Sequence, residues 1–382
     1  MALYTDGTDR TLISANNMDF LRGEIKTPRQ MVEFLKEGAL FRSFSYVLHQ
    51  LAPEEDLAAR LTEGLAEYTG EDHESIARKV RNWLKDKNVP KSRETLFQIC
   101  FILGVGEGEA SRILGTASET GIHYRNPEEL VYAYGLRTHK SYEETVRLRE
   151  QVSQLMKTIK TEQTDATPKS YTKQIREEFQ QVDSDEDLFA FFRENGEKLG
   201  ILHETACRKF TELLDKLQKP EGITGETEET YTMGEVAQLY LRMKVPQTKK
   251  VSGYSLLQRL VKKYWPNESS LLKMRNRRED VSRKALLLLY LITETFDSPD
   301  EEALEDDFYY WEDTEEEEDG DTRLEMRFEK MNLFLDQYGM NRLDYGNPFD
   351  LLVLYAMKTE EDDYAGERMQ EVLGLLFDNE DD

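Results

Sequence analysis

His203 and Cys207 stand four residues apart, a spacing at which two side chains on one helix face can share a metal ion. A closed zinc site takes four such ligands. The chain holds two cysteines and five histidines, and His49, His73, His123 and His139 are scattered away from the pair. No metal site is expected. Cys100, inside the apolar run FQICFIL, reads as a core residue. Residues 104–108 (GVGEG) lack the lysine and serine of a phosphate-cradling loop and read as the turn between two helices. The carboxylates of residues 312–319 lack the spaced ligands and glycine of a calcium loop. No two acids stand out as a catalytic couple. The residue types point away from an enzyme and from a bound cofactor.

Local positive charge is what remains. Residues 74–93 carry Arg78, Lys79, Arg81, Lys85, Lys87, Lys91 and Arg93 against Glu74 and Asp86, a net of +5 in a chain whose net charge is −26. Residues 259–284 carry Arg259, Lys262, Lys263, Lys273, Arg275, Arg277, Arg278, Arg283 and Lys284 against three acids, a net of +6. Duplex phosphates are met by local positive charge, whatever the sign of the whole chain. The candidate contacts to double-stranded DNA are Arg78, Lys79, Lys85, Lys87, Lys91 and Arg93 in the first window. In the second they are Lys273, Arg275, Arg277, Arg278, Arg283 and Lys284. Arg81 and Asn82 are candidates for base edges. The plainer explanation of such a set is a solvated helix face.

Helices must carry these residues. Thr27-Pro28 places a capping residue before a proline at the first helical position, ahead of Met31, Val32, Phe34 and Leu35. Ser141 and Glu144 form a capping box before Val152, Leu155, Met156 and Ile159. Leu202, Ala206, Phe210, Leu213, Leu214 and Leu217 recur at helical spacing. The expected fold is all-α. With 382 residues, 38% of them hydrophobic, there is material for two to three domains. The longest apolar run, residues 285–292, is far short of the ~20 residues of a membrane span. The first residues have no basic start and apolar stretch of a signal peptide. A cytoplasmic protein without membrane contact is expected.

Three segments recur in the same order. ESIARKVRN at residues 74–82 answers ESSLLKMRN at 268–276, offset by 194. Ser92-Arg93 before an apolar run answers Ser282-Arg283, offset by 190, so the second turn reads as four residues shorter. NPEELVYAYGL at 126–136 answers NPFDLLVLYAM at 347–357, offset by 221. In the last pair, Asn126 and Asn347 suit N-caps, and Glu129 and Asp350 sit where a carboxylate can reach back to the cap. The simplest account is one helical module used twice, over 41–150 and 246–377. An N-terminal arm and first helix occupy 1–40, and a helical connecting segment 151–245. Polar breaks fall at 161–168 and 219–230. The second copy carries an acidic insertion at about 294–322; residues 294–321 hold 16 Asp or Glu and no Lys or Arg, so disorder is expected there.

Residues 65–105 resemble the Cro and phage-repressor (XRE-like) type of helix-turn-helix. The resemblance is carried by Leu65-Ala66, Gly70 in the turn, Val80-Arg81-Asn82-Trp83-Leu84, Pro90 seven residues after Trp83, Leu96, and Leu103-Gly104-Val105. Asp86 stands where the family favours glycine, and the stretch between Gly70 and Val80 is some three residues longer than usual. The resemblance implies that residues 74–84 form the recognition helix, which enters the major groove. The larger arrangement is also similar to uncharacterised helical proteins of Gram-positive gut bacteria, which bring no function with them. The leading expectation is a DNA-binding regulatory protein, working as a monomer with an internal pseudo-dimer or as a homodimer. The alternatives are a protein-interaction adaptor that uses these modules as docking surfaces, and an acidic nucleic-acid mimic.

Overall fold

The computed structural model describes residues 12–53, 56–118, 120–159, 171–200, 204–220, 230–247, 253–295, 320–359 and 363–378. Among them every regular element is helical. The first eleven α-helices are α1 (Leu12–Leu21), α2 (Pro28–Glu33), α3 (Phe44–Leu51), α4 (Leu57–Thr69), α5 (His73–Leu84), α6 (Arg93–Leu103), α7 (Glu107–Ser118), α8 (Pro127–Arg137), α9 (Tyr142–Ile159), α10 (Tyr171–Phe179) and α11 (Asp185–Asn195). There follow α12 (Glu204–Gln218), α13 (Met233–Val236), α14 (Leu256–Lys262), α15 (Glu268–Arg275), α16 (Arg283–Ile292), α17 (Gly320–Gln337), α18 (Pro348–Met357) and α19 (Ala365–Phe377). The acidic stretch 296–319, the breaks at 161–168 and 221–229, and His203 lie outside the described residues.

The chain forms two compact units. One is Ser43–Ala206 with Leu335–Asn341 and is built on α3–α11. The other is a composite of Met1–Arg42, Cys207–Phe334 and Arg342–Asp382.

In the α3–α11 unit, local sequence sets the helix ends. Gly70 closes α4 at φ +67, a left-handed position that costs an L-residue about 1–2 kcal/mol. Asp72 opens α5 by accepting from the Ser75 N–H. Ile76, Val80 and Trp83, spaced at four and three residues, form the buried stripe of α5, which packs on α4 and α3. Leu96, Phe97, Ile99, Cys100 and Leu103 of α6 are buried between α4, α7 and α8. Each fully buried side chain of this size contributes about 1.5–3 kcal/mol. Asp86 takes a left-handed conformation just after α5, at φ +50. Its carboxylate accepts from the Ser43 hydroxyl at 2.6 Å and the Ser45 N–H at 3.1 Å, which ties the start of α3 to the end of α5.

The composite unit is built around two helices with almost no solvent-facing side. In α16, every residue from Arg283 to Leu291 is buried, and in α18 every residue is. α19 packs on α2, α16 and α18, and α1 packs on α18. The ammonium of Lys358, 4% exposed, donates to the carbonyls of Leu21 and Gly23 and to Asp321, and so closes the C-terminal end of α1. Burial raises the pKa of Asp321, but Lys358 and the Gly23 N–H outweigh it and hold the carboxyl below its ordinary value.

One hydrogen-bond network occurs in both units. The Arg93 guanidinium forks onto Glu129, with Nε–Oε1 at 2.5 Å and Nη2–Oε2 at 2.6 Å. The Arg283 guanidinium forks onto Asp350, with Nη1–Oδ1 at 2.7 Å and Nη2–Oδ2 at 2.9 Å. Each arginine follows a serine N-cap and also donates to the carbonyl eight residues before its carboxylate, that of Gly121 or Arg342. Each carboxylate accepts the N–H six residues before it, that of His123 or Asp344, both at 2.9 Å. Asn126 and Asn347 cap the helices that carry the carboxylates. The Asn-Pro motif is thus structural, and its carboxylates hold an arginine and a connecting loop in addition to the helix start.

Candidate nucleic-acid interface

α4 and α5 follow each other across the turn at Gly70–Asp72 and pack together in the α3–α11 unit. With Ile76, Val80 and Trp83 turned inward, the opposite face of α5 is fixed. Glu74, Arg78, Arg81 and Lys85 fall on it at spacings of four, three and four residues, and all are exposed. Lys87 and Lys91, exposed on the loop after α5, follow the same end. Arg78, Arg81, Lys85 and Lys91 make no ion pair among the described residues, although Glu74 is one turn from Arg78. Asn82 is half-buried beside them. Lys79 is taken up by Glu71, with Nζ–Oε2 at 2.6 Å.

The charge along α5 is polarised. Glu71, Asp72 and Glu74 are exposed at its N-terminal end, while Arg81 and Lys85 close its C-terminal end. That ordering complements the helix dipole. It also puts acids where a helix-turn-helix brings the first recognition-helix residues to base edges. The cationic half is therefore the part suited to phosphate.

Three of the residues expected at a DNA surface are elsewhere. Arg93 is held by Glu129, Ser118, Thr120 and Gly121. Arg283 is 5% exposed and committed to Asp350. Lys284 is 3% exposed; its ammonium donates to the carbonyls of Val261 and Lys263 and lies 4.5 Å from the Phe349 ring centroid. A charge this deep keeps its buried acceptors, because leaving them costs far more than a phosphate contact returns. These three leave the candidate set.

The counterpart in the composite unit is α15 with its flanking turns. Arg275 is half-buried and bonded to Asp215 and Gln218, and Lys273 pairs with Glu279 at 2.5 Å. Arg277 and Arg278 are exposed after the helix, and Arg277 holds φ +55, in the same turn geometry as Asp86. α15 has eight residues and α5 twelve, while seven residues join α15 to α16 and eight join α5 to α6. The turn is thus shorter by one residue where four were expected, and the larger difference in length lies in the helix. Apolar groups that charge patterning does not reveal are exposed on and before this helix. Leu272 on α15 is 38% exposed, and Tyr264 before it is 49% exposed at φ +58, a conformation rare for a bulky residue.

No group of three or more His, Cys, Asp or Glu among the described residues is placed to hold a metal ion. Cys207 is buried with Sγ 3.9 Å from the Met274 carbonyl, and Cys100 is buried with its thiol pKa pushed up by desolvation. No described helix is long and apolar enough to cross a membrane. Comparison with protein-family models, with curated proteins and with solved structures finds no match.

Proposed function

We propose that the chain is a cytoplasmic, non-enzymatic DNA-binding regulatory protein that meets the duplex through the C-terminal half of α5 and the loop after it. The observation that carries this reading is the stripe of Arg78, Arg81 and Lys85, exposed, on one helix face and without an ion pair among the described residues. In a chain of net charge −26, such a stripe is the kind of local field that phosphate selects. The packing of α4 and α5 across a short turn supports it, as does the earlier likeness to XRE-like modules. The two units are read as copies of one ancestral module, supported by the matching Arg93–Glu129 and Arg283–Asp350 networks. The second copy is read as having given up base contact along with one turn of α15.

A second reading has its own support. The exposed acids Glu71, Asp72 and Glu74 at the start of α5 oppose base-edge contact and favour a module that docks a basic protein surface. Fluorescence anisotropy against mixed-sequence duplex at several salt concentrations separates the two. Three phosphate contacts give a log–log salt slope of about −2.7. Arg78→Glu/Arg81→Glu reverses two of the three cations and is expected to abolish binding. A chain that binds no duplex at low salt, or binds it equally with the two arginines reversed, is not a DNA-binding protein through α5.

A further inference from the structure

The surface of α15 differs in kind from that of α5. The solvent face of α5 is wholly polar, whereas α15 and its turns combine Arg277, Arg278 and Lys273 with the exposed side chains of Leu272 and Tyr264. The Lys263 ammonium lies 4.9 Å from the centroid of the Tyr264 ring. A mixed cationic and apolar surface suits acids interleaved with aromatic rings better than it suits a phosphate chain.

The chain itself contains such a sequence. Residues 296–319 hold no Lys or Arg, and 306–313 read DDFYYWED, four rings flanked by two acids on each side. The stretch leaves the composite unit just after α16 and re-enters it at α17. Arg278 lies four residues before the N-cap of α16, Ser282, and a helix of ten residues is about 15 Å long. Residues 296–319 fully extended would reach roughly 80 Å, ample for a path out to α15 and back.

We propose that residues 306–313 dock on α15 and its flanking turns, with acids on Arg277 and Arg278 and rings against Leu272 and Tyr264. The second module is then a receptor for the chain's own acidic segment. This holds whether or not α5 binds DNA.

Two measurements test it. Trp83 and Trp265 are buried, so acrylamide acting on the folded chain reports chiefly on Trp311. Quenching is expected to rise severalfold in Arg277→Glu/Arg278→Glu and in high salt; quenching unchanged by both overturns the proposal. The second uses a fluorescein-labelled peptide of residues 304–314 and a variant whose residues 297–319 are replaced by Gly/Ser of the same length. Unchanged helical circular dichroism checks the fold. The peptide is expected to bind the replaced variant at least tenfold more tightly than the native chain, and to lose tenfold or more when Arg277 and Arg278 are reversed. Equal binding to both chains refutes docking. Binding lost on reversal of Arg78 and Arg81 instead puts the segment on α5 and refutes this site. Duplex DNA captured by the replaced variant through Arg277 and Arg278 makes the patch a nucleic-acid surface, and likewise overturns the assignment.

Discussion

Asp350→Ala is expected to be among the most damaging single substitutions in the composite unit, and measurably worse than Glu129→Ala in the other. The side chains of Arg283 and Asp350 are 6% and 2% exposed. Removing the carboxylate strands a buried guanidinium and leaves the Asp344 N–H without its acceptor. Breaking a buried pair in this way costs about 3–5 kcal/mol. Arg93 is 27% exposed and keeps Ser118, Thr120 and Gly121 as acceptors after Glu129 is lost, so about 1–3 kcal/mol is expected there. With an m-value of about 2 kcal/mol/M in urea, the midpoints move by roughly 1.5–2.5 M and 0.5–1.5 M respectively. The assay is urea unfolding followed by tryptophan fluorescence, with Trp311→Phe as background. Trp265 then reports on the composite unit and Trp83 on the α3–α11 unit. Arg283→Met/Asp350→Leu should recover most of the loss, since no charge is left buried. Equal shifts for the two single variants, or a double variant no better than Asp350→Ala, would refute the view that burial of the unpaired arginine sets the cost.

Asp86→Ala should destabilise by about 1–3 kcal/mol, because it strands two partners of the carboxylate and keeps a left-handed alanine; Asp86→Gly should cost less, and thermal melts of the pair check the order. Gly70→Ala should cost only about 1 kcal/mol, since open space surrounds its Cβ and the strain is purely backbone. Gly121→Ala should cost more, because a Cβ there would lie 2.1 Å from Ser111 Oγ and 3.0 Å from Asn341 Oδ1; urea midpoints of the two variants check the contrast. Asp321 has a folded pKa below the ordinary carboxyl value of 3.8, so its bond to Lys358 contributes fully above that value and is lost as pH falls through the lower folded pKa. Asp321→Asn should therefore be less stable than the native chain at pH 6, and the gap should close in acid; a gap that persists at the lowest pH sinks this account.

Elements whose signals are local were legible in the sequence. Asn126-Pro127, Asn347-Pro348 and Thr27-Pro28 each open a helix where capping chemistry says they should. The inward stripe of α5 follows from the spacing of Ile76, Val80 and Trp83. What was not legible depends on partners far along the chain. Arg93 and Arg283 counted as surface charge because their carboxylates lie 36 and 67 residues away. Lys284 stands in the same register as Glu94, yet it closes a buried contact with carbonyls, which carry no side-chain signal. The difference in length between α5 and α15 is hidden in the sequence because five identities align ESIARKVRN with ESSLLKMRN at one offset, while the caps at Asp72 and Asn267 and the turns at Asp86 and Arg277 stand at two others. The apolar exposure of Leu272 and Tyr264 is a tertiary outcome: neither residue type nor periodicity distinguishes them from core.

The composite unit is assembled from three separated stretches of chain, with the interrupting unit almost continuous. Asn17, fully buried, donates to the carbonyls of Leu40 at 2.7 Å and Tyr345 at 2.8 Å, the second partner 328 residues further along. During synthesis at roughly 5–20 residues per second, Asn17 waits about 15–65 s for Tyr345 to be made. The α3–α11 helices emerge meanwhile and can settle first. α1 and α2 must stay unsatisfied until α18 and α19 arrive. The order of birth thus runs against the order of completion, and the earliest helices of the chain are among the last to find shelter. A ribosome halted before α18 should release a chain whose α3–α11 helices resist protease while residues 12–42 are cut.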